Sequence, residues 1–224
     1  MSDPRNTHQM FDIDMDALTG LRDAVEATNS QMMSAYNRAL KRTALHMHRV
    51  SVSMILESLA VKKRKTVTKR VQKFIKKRDA GGSGELSSVK LWYGMNPFRV
   101  HELRGAMKQP RAQKQPRDPE TGRFLKTKKG ARNATFIPKG AALKPTTYDD
   151  SFVAEHYGYK AIWIRKDERA GIREARVPVA DLVQDEIDEY IADAIGPVFM
   201  RYFEQDLRGR VAGNVHVNGK GKRT

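Results

Sequence analysis

The feature that most constrains the fold is a long helical pattern that runs from Asn29 to about Ala60. Mostly apolar residues recur there at the spacing of one helix face, and Asn29 and Ser30 are good capping residues. The residues of this stripe are Met32, Tyr36, Ala39, Leu40, Thr43, Met47, Val50 and Met54. Thirty helical residues form a rod of roughly 45 Å. We therefore expect a spine against which a sheet packs, or a contact between subunits, with core filling favoured for any single Met residue.

The segment from Lys62 to Arg78 carries ten Lys or Arg among its seventeen residues and no acidic residue. Val67, Val71, Phe74 and Ile75 follow the spacing of a helix face, which predicts a short amphipathic helix with a cationic ridge. The ridge would consist of Lys62, Lys63, Arg64, Lys65, Lys69, Arg70, Lys73, Lys76, Lys77 and Arg78. Such a ridge indicates a surface that faces a polyanion, most readily nucleic acid, or a solvated face that only keeps the protein soluble.

The positive charge is concentrated in one part of the chain. Between residues 62 and 144 lie 24 of the 42 Lys and Arg residues but only 5 of the 26 Asp and Glu residues. The rest of the chain is close to neutral, although the formal net charge is +16. This uneven distribution indicates a directed contact with a polyanion rather than general stickiness.

The remaining pattern predicts several strands and a terminal helix. Strand character is found at 11–15, 89–93, 98–103, 134–137, 161–165 and 174–179. We expect 89–93 and 98–103 to form a hairpin or one bent strand, and 161–165 to form an antiparallel hairpin with 174–179. From Asp181 the helical period returns, with a kink or an interruption at Gly196–Pro197.

The predicted fold class is α+β. The long N-terminal helix and the basic helix would pack on a small, mostly antiparallel sheet, followed by a C-terminal helix. We expect one domain over residues 10–208, between a flexible N-terminus (1–9) and a flexible C-terminal tail (209–224). Residues 104–133 contain only six apolar residues, which predicts a long mobile basic loop, with a local turn from Asp118 to Phe124.

The sequence predicts a protein that is not an enzyme and that carries no cofactor or metal site. His46 and His48 are two residues apart on a helix and so point in different directions. The terminal helix carries a group of acidic residues on its polar face, which indicates a solvated surface or a contact with a neighbouring subunit. This group consists of Asp185, Glu186, Asp188, Glu189 and Asp193. A nuclease that uses these acids is a minor alternative.

Nucleic-acid binding is indicated by charge and not by a sequence-reading motif, so the contact would be blind to base sequence. Trp92, Tyr93 and Phe98 could stack on bases, although strand alternation places at least half of them in a core. The chain has no cysteine, no apolar run that could span a membrane and no secretion signal near its first residue. These features predict a soluble intracellular product that contacts no membrane.

Several segments, taken in order, resemble the prophage minor tail protein Z family and, more distantly, the tail-completion proteins of long-tailed phages. The resemblance covers about residues 10–208. Its segments are FDIDMDALTGLRDAV, AYNRALKRTALHMHRVSVSMI, VKKRKTVTKRVQKFIKK, VKLWYGMNPFRV, ATFIPKG, YKAIWIRKDE and REARVPVADLV. The basic loop is similar to a variable region of the family, and the C-terminal tail has no counterpart.

The resemblance implies a structural virion protein that is assembled in the host cytoplasm and completes the head-proximal end of a phage tail. It implies a homo-oligomeric ring of six subunits, or a multiple of six, in the neck around the DNA channel. The implied partners are the tail tube or terminator proteins, the head–tail connector proteins and, non-specifically, genomic DNA. The alternative from the residues alone is a sequence-independent DNA-binding accessory protein that acts free in the cell.

Overall fold

The computed structural model describes residues 13–76, 88–109, 117–123, 133–165 and 171–214. Four helices are present among them: α1 (Met15–Ala24), α2 (Asn29–Ser58), α3 (Arg64–Thr68) and α4 (Ala180–Ala212). The strands are β1 (Val71–Lys76), β2 (Ser88–Tyr93), β3 (Phe98–Arg99), β4 (Gly105–Lys108), β5 (Ala134–Pro138), β6 (Thr146–Tyr148), β7 (Ser151–His156), β8 (Tyr159–Arg165), β9 (Ile172–Glu174) and β10 (Arg176–Val177). The strands pair antiparallel, and the α+β prediction is confirmed.

The long helix α2 spans 30 residues, as its apolar stripe predicts. Most of the stripe is buried, including Met32, Tyr36, Ala39 and Met47. Burial also includes Ala35, which the stripe did not include and which is fully inaccessible to solvent. Because the alanine side chain is small, another helix can approach α2 closely at Ala35.

Helix α4 is one helix of 33 residues and continues through Pro197, so an interruption at Gly196–Pro197 is wrong, whereas a kink there stays a prediction. After Pro197, three large side chains are buried: Phe199, Phe203 and Leu207. They pack in one core with Tyr36 of α2 and Leu18 of α1. This packing outweighs the missing amide hydrogen of one proline.

The start of the described chain departs from the strand that was predicted at 11–15. Phe11 and Asp12 lie outside the described residues, and Met15 is already the first residue of α1. The Asp14 side chain caps this helix, because its Oδ1 accepts from the amides of Asp16 at 2.9 Å and Ala17 at 3.1 Å. An acidic residue one position before a helix is favoured at that place.

The predicted basic helix does not form as one element. Arg64–Thr68 makes a short helix, α3, and Val71–Lys76 is a strand, β1, which pairs with β2 along its whole length. Three of the six residues of β1, Val71, Phe74 and Ile75, are β-branched or aromatic types that favour strands. Pairing with β2 also satisfies the backbone groups of β1, a contribution that no local helical pattern takes into account.

The strand pairings correct two further predictions. Residues 89–93 do not pair with 98–103, because β2 pairs with β1 whereas β3 pairs with β10. Part of the predicted loop 104–133 is a strand, because β4 pairs with β5. The turn predicted from Asp118 is confirmed over the described residues 118–123, where the Asp118 amide donates to the Arg123 carbonyl at 2.8 Å. Residues 110–116 and 124–132 of the loop lie outside the described residues.

The hairpin predicted for 161–165 and 174–179 is confirmed in part. β8 pairs with β9 from Trp163–Glu174 to Arg165–Ile172, and the chain then leaves this sheet to form β10. On its other side β8 pairs with β7, which the sequence did not predict. Tyr157 and Gly158 both have positive φ between these strands, the geometry of the tight turn that matches strand twist in hairpins.

The described residues group into two compact units. The first contains α1, α2 up to Ser51, the β1–β2 pair and α4 from Asp185 onward; the second contains residues 52–69 and 94–184. The expectation of one domain over residues 10–208 stays a prediction. Residues 209–212 of the predicted tail belong to α4, whereas 1–9 and 215–224 lie outside the described residues.

Candidate nucleic-acid-binding surface

The β1–β2 pair is a two-stranded ribbon in the first unit whose side chains alternate between two faces. Val71 lies opposite Tyr93, and Gln72 lies opposite Trp92. Among the residues whose side chains are described, the inner face carries Val71, Lys73, Val89, Leu91 and Tyr93. The outer face carries Gln72, Phe74, Lys90 and Trp92.

The inner face of the ribbon is fixed to helix α2. Val71 is buried, and its carbonyl accepts a hydrogen bond from His48 Nε2 at 3.0 Å. The Tyr93 hydroxyl lies 2.9 Å from Ser51 Oγ, a buried hydroxyl of α2. Burial raises the pKa of Tyr93 to about 12; the Ser51 hydrogen bond opposes this shift and the negative charge of Asp188 adds to it. A two-stranded sheet has little stability alone. The contacts of Val71 and Tyr93 with α2 therefore hold the ribbon in its orientation.

The outer face of the ribbon leaves two aromatic side chains in solvent. Phe74 is 51% exposed and Trp92 is 39% exposed. Since Phe74 pairs with Lys90 and Trp92 pairs with Gln72, the two rings are diagonal neighbours on one face. Lys90 is exposed beside them, and neither strand contains an acidic residue. A cationic face with accessible aromatic rings is suited to contact phosphates and bases.

For Trp92, Tyr93 and Phe98, the prediction that at least half lie in a core is confirmed, whereas stacking on bases stays a prediction. Phe98 is buried and Tyr93 faces the interior, whereas Trp92 is accessible. Phe74 was missed, since the predicted helix placed it in the core. Residues 71–76 show no period-two alternation, so the signal that could have revealed it is the strand-favouring run 89–93, read as a partner for this segment.

The described basic residues of the predicted ridge lie in and around α3 and β1 and fall in both compact units. Lys62, Lys63, Arg64, Lys65 and Lys69 are exposed in and around α3 in the second unit. Lys62 Nζ donates to the His101 carbonyl at 2.8 Å. Part of its role is therefore to connect this segment to the 3-10 turn at Val100–Glu102.

Of the other five basic residues, Arg70, Lys73 and Lys76 are described and belong to the first unit. Arg70 is partly buried and Lys73 is exposed. Lys76 ends β1, and its side chain lies outside the described part of the structure, as do Lys77 and Arg78. A ridge along a single helix is therefore wrong, although most of the described cations are at the surface.

The acidic residues of α4 differ in their exposure to solvent. Asp185, Glu186, Glu189 and Asp193 are exposed, in keeping with a polar helix face. Asp188 is partly buried, and its charge acts on Tyr93. A role for the four exposed residues in a subunit contact stays a prediction. Across the described ranges, no three or more His, Asp or Glu side chains are grouped so that they could hold a metal ion.

A polar cluster in the second unit was not predicted from the sequence. His101 Nδ1 donates to the Glu174 carboxylate, and the Tyr159 hydroxyl donates to its other oxygen at 3.1 Å. The His101 and Tyr159 rings lie 4.0 Å apart. These contacts join the 3-10 turn at Val100–Glu102 to β8 and β9, and long-range contacts of this kind leave no pattern in a sequence.

No protein-family model, curated protein or solved structure that was compared with the chain matches it. None of the helices in the described part of the chain is both long and apolar enough to cross a membrane.

Proposed function

We propose that this chain is a structural phage protein that completes the head-proximal end of the tail and forms part of the neck around the DNA channel. The order of the resembling segments supports the family assignment. The structural observation that carries the nucleic-acid contact is the outer face of the β1–β2 ribbon, which combines exposed aromatic rings with lysine and has no acidic residue.

The proposed role is structural and requires no catalytic group. Subunits would form a ring of six, or a multiple of six, between the tail terminator and the head–tail connector. The exposed acids of α4 would then face basic residues of a neighbouring subunit, since complementary charge fixes the register of such contacts. The mature protein would be found in the virion after assembly in the host cytoplasm.

Electron microscopy of a lysate from phage that lack the gene tests this proposal. The expected result is filled heads and full-length tails that remain separate, because the junction between them is incomplete. Joined particles in normal yield would exclude the proposed neck role.

A second candidate is a sequence-independent DNA-binding accessory protein that acts free in the cell. The exposed ribbon face also favours this function, because it requires no ring. It predicts tight binding by the isolated protein, with a binding constant that falls steeply as salt rises. A completion protein should instead bind DNA weakly alone and assemble on tails.

A further inference from the structure

We infer that the outer face of the β1–β2 ribbon binds single-stranded nucleic acid, whose unpaired bases stack on Phe74 and Trp92. The inference deepens the nucleic-acid contact proposed above and rests on it. The ligand class is a strand with accessible base faces rather than a duplex. Lys90, which is exposed on the same face, would contact its phosphates.

The spacing of the two rings favours unstacked bases. Phe74 and Trp92 are offset by two residues along the ribbon, a distance of roughly 6.7 Å at the usual rise of a strand. The bases of one duplex strand repeat at about 3.4 Å and cover each other's faces. Each ring can therefore receive one base of an extended strand, whereas a duplex offers such a face only at its ends.

The electrostatics of the ribbon favour a polyanion over an apolar partner. The outer face carries the exposed Lys90, and neither strand contains an Asp or Glu. Attraction to phosphates does not depend on base sequence, and neither does stacking, because every base has an accessible π face. The surface should therefore bind single strands of any sequence.

A second copy of the chain fits this face poorly. Two-fold pairing through the ribbon would bring two copies of the same face together, each with Lys90 and no acidic residue to pair with it. A stable interface also requires burial of about 1,000 Å² or more, which greatly exceeds the exposed parts of two aromatic side chains. Self-association through the ribbon is an outcome that the experiment must distinguish.

The test is a titration of the full chain with an oligothymidylate and with a duplex of the same length. Binding is monitored by Trp92 fluorescence for the wild type and by the anisotropy of a dye-labelled nucleic acid for every variant. Trp92 is one of two tryptophans, and the other, Trp163, is buried. We expect the single strand to quench the Trp92 fluorescence and to bind more tightly than the duplex. The double variant Phe74→Ala/Trp92→Ala should bind the single strand about tenfold or more weakly, because each substitution removes one stacking platform.

Two further variants separate stacking from charge. Lys90→Gln should weaken binding of both ligands and lower the salt dependence by about one phosphate contact. Tyr157→Ala removes a ring that is 76% exposed in the other unit and should leave both affinities unchanged. Circular dichroism should show the same fold in all variants, since the substituted side chains are at the surface.

Equal affinity of the wild type and the double variant for the single strand would overturn the inference. It would also be overturned if sedimentation showed that the wild type self-associates through this face and the double variant does not. Either result could coexist with separate heads and tails in the lysate, in which case the neck role would stand without the stacking site. If instead the particles were joined and the double variant lost single-strand binding, the stacking site would stand without the neck role.

Discussion

At the scale of single residues, Gly140 is required by a close approach of two backbone segments. A Cβ at this position would lie 2.6 Å from the Ser58 carbonyl oxygen and from the Leu59 carbonyl carbon, at the end of α2. The same contact lets the Ala142 amide donate to the Ser58 carbonyl at 3.2 Å, which satisfies one of the last acceptors of the helix.

Gly140→Ala should therefore lower the free energy of unfolding by about 1–3 kcal/mol, because the added methyl group forces backbone atoms apart. Gly209→Ala is the matched control, since nothing lies within 4 Å of a Cβ there. Because Gly209 lies in helix α4, its replacement by alanine should raise the free energy of unfolding by about 0.5–1 kcal/mol. Urea denaturation of both variants measures the two effects, and equal stabilities would contradict the predicted clash.

Tyr93 makes stability depend on pH in the alkaline range. Its pKa is about 12 in the folded chain against 10.0 for an ordinary tyrosine, since burial disfavours the charged phenolate. The stabilisation is complete below pH 10 and is lost as the pH rises through 12, because the unfolded chain ionises first. A difference of this size corresponds to at most about 2–3 kcal/mol.

Tyr93→Phe should cost about 1–2 kcal/mol at neutral pH, because the buried Ser51 hydroxyl loses its partner at 2.9 Å. Between pH 10 and 12 the variant should lose less stability than the wild type. Thermal unfolding across this range measures the difference between the two proteins. Tyr148→Phe provides a comparison, since the pKa of Tyr148 is also raised to about 12 by burial. Parallel stability curves for Tyr93→Phe and the wild type would show that Tyr93 does not titrate differently in the folded chain.

At the scale of elements, α4 tolerates a proline in its interior. Pro197 is exposed and lies within an uninterrupted helix. It cannot donate to the carbonyl four residues earlier, and a proline in a helix interior is about 3 kcal/mol less favourable than alanine. Burial of Phe199 and Phe203 offsets this loss.

Pro197→Ala should raise the free energy of unfolding by about 1–3 kcal/mol, because it restores one helical hydrogen bond. Ala192→Pro, at another exposed position of α4, should lower it by about 3 kcal/mol or more. Denaturant titrations measure both variants. A less stable Pro197→Ala protein would mean that the packing of Phe199 and Phe203 depends on the backbone geometry that proline imposes.

Strand β1 shows why one element was assigned wrongly. In the sequence, the spacing of a helix face is satisfied by Val67, Val71, Phe74 and Ile75. Only Val67 is in a helix in the structure. Phe74 and Ile75 would share a helix face, but adjacent strand residues point to opposite faces. The choice between these periods depended on β2, which lies beyond residues 77–87 in the chain.

At the scale of the whole molecule, the uneven charge distribution predicts how the protein responds to charge reversal. Replacing Lys69, Arg70, Lys73 and Lys77 with Glu reverses four charges of the basic segment, and the three of these residues that the structure describes, Lys69, Arg70 and Lys73, are not among its buried core side chains. If this segment faces DNA or a neck protein, the variant should fold normally but fail to join heads to tails, because like charges repel at the junction. Particle yield and infectivity in a complementation assay measure the effect.

A matched control makes the same change to Glu at four basic residues outside this segment, Lys41, Arg49, Arg201 and Arg208. These residues lie on α2 and α4 and are exposed, and the control should retain most of the activity. Normal particle yield from the Lys69, Arg70, Lys73 and Lys77 variant would remove the basic segment from the proposed junction.

The sequence by itself determined the elements whose signals are local. The stripe of α2, the periodicity of α4 and the turn at Asp118 were all predictable, because helices and tight turns are stabilised by residues close together in the chain. The high density of cations around residues 62–78 could also be predicted, because charged residues can be counted in the sequence without a structure.

Only the tertiary structure decided how these elements are paired and which side chains face solvent. β1 became a strand because β2 pairs with it, and Trp92 and Phe74 became accessible because Tyr93 and Val71 occupy the inner face of the ribbon. Strand pairing and burial depend on partners that are distant in sequence, so the same letters are compatible with several arrangements until the chain has folded. The candidate binding surface belongs to this second class, because it consists of diagonal neighbours on two different strands.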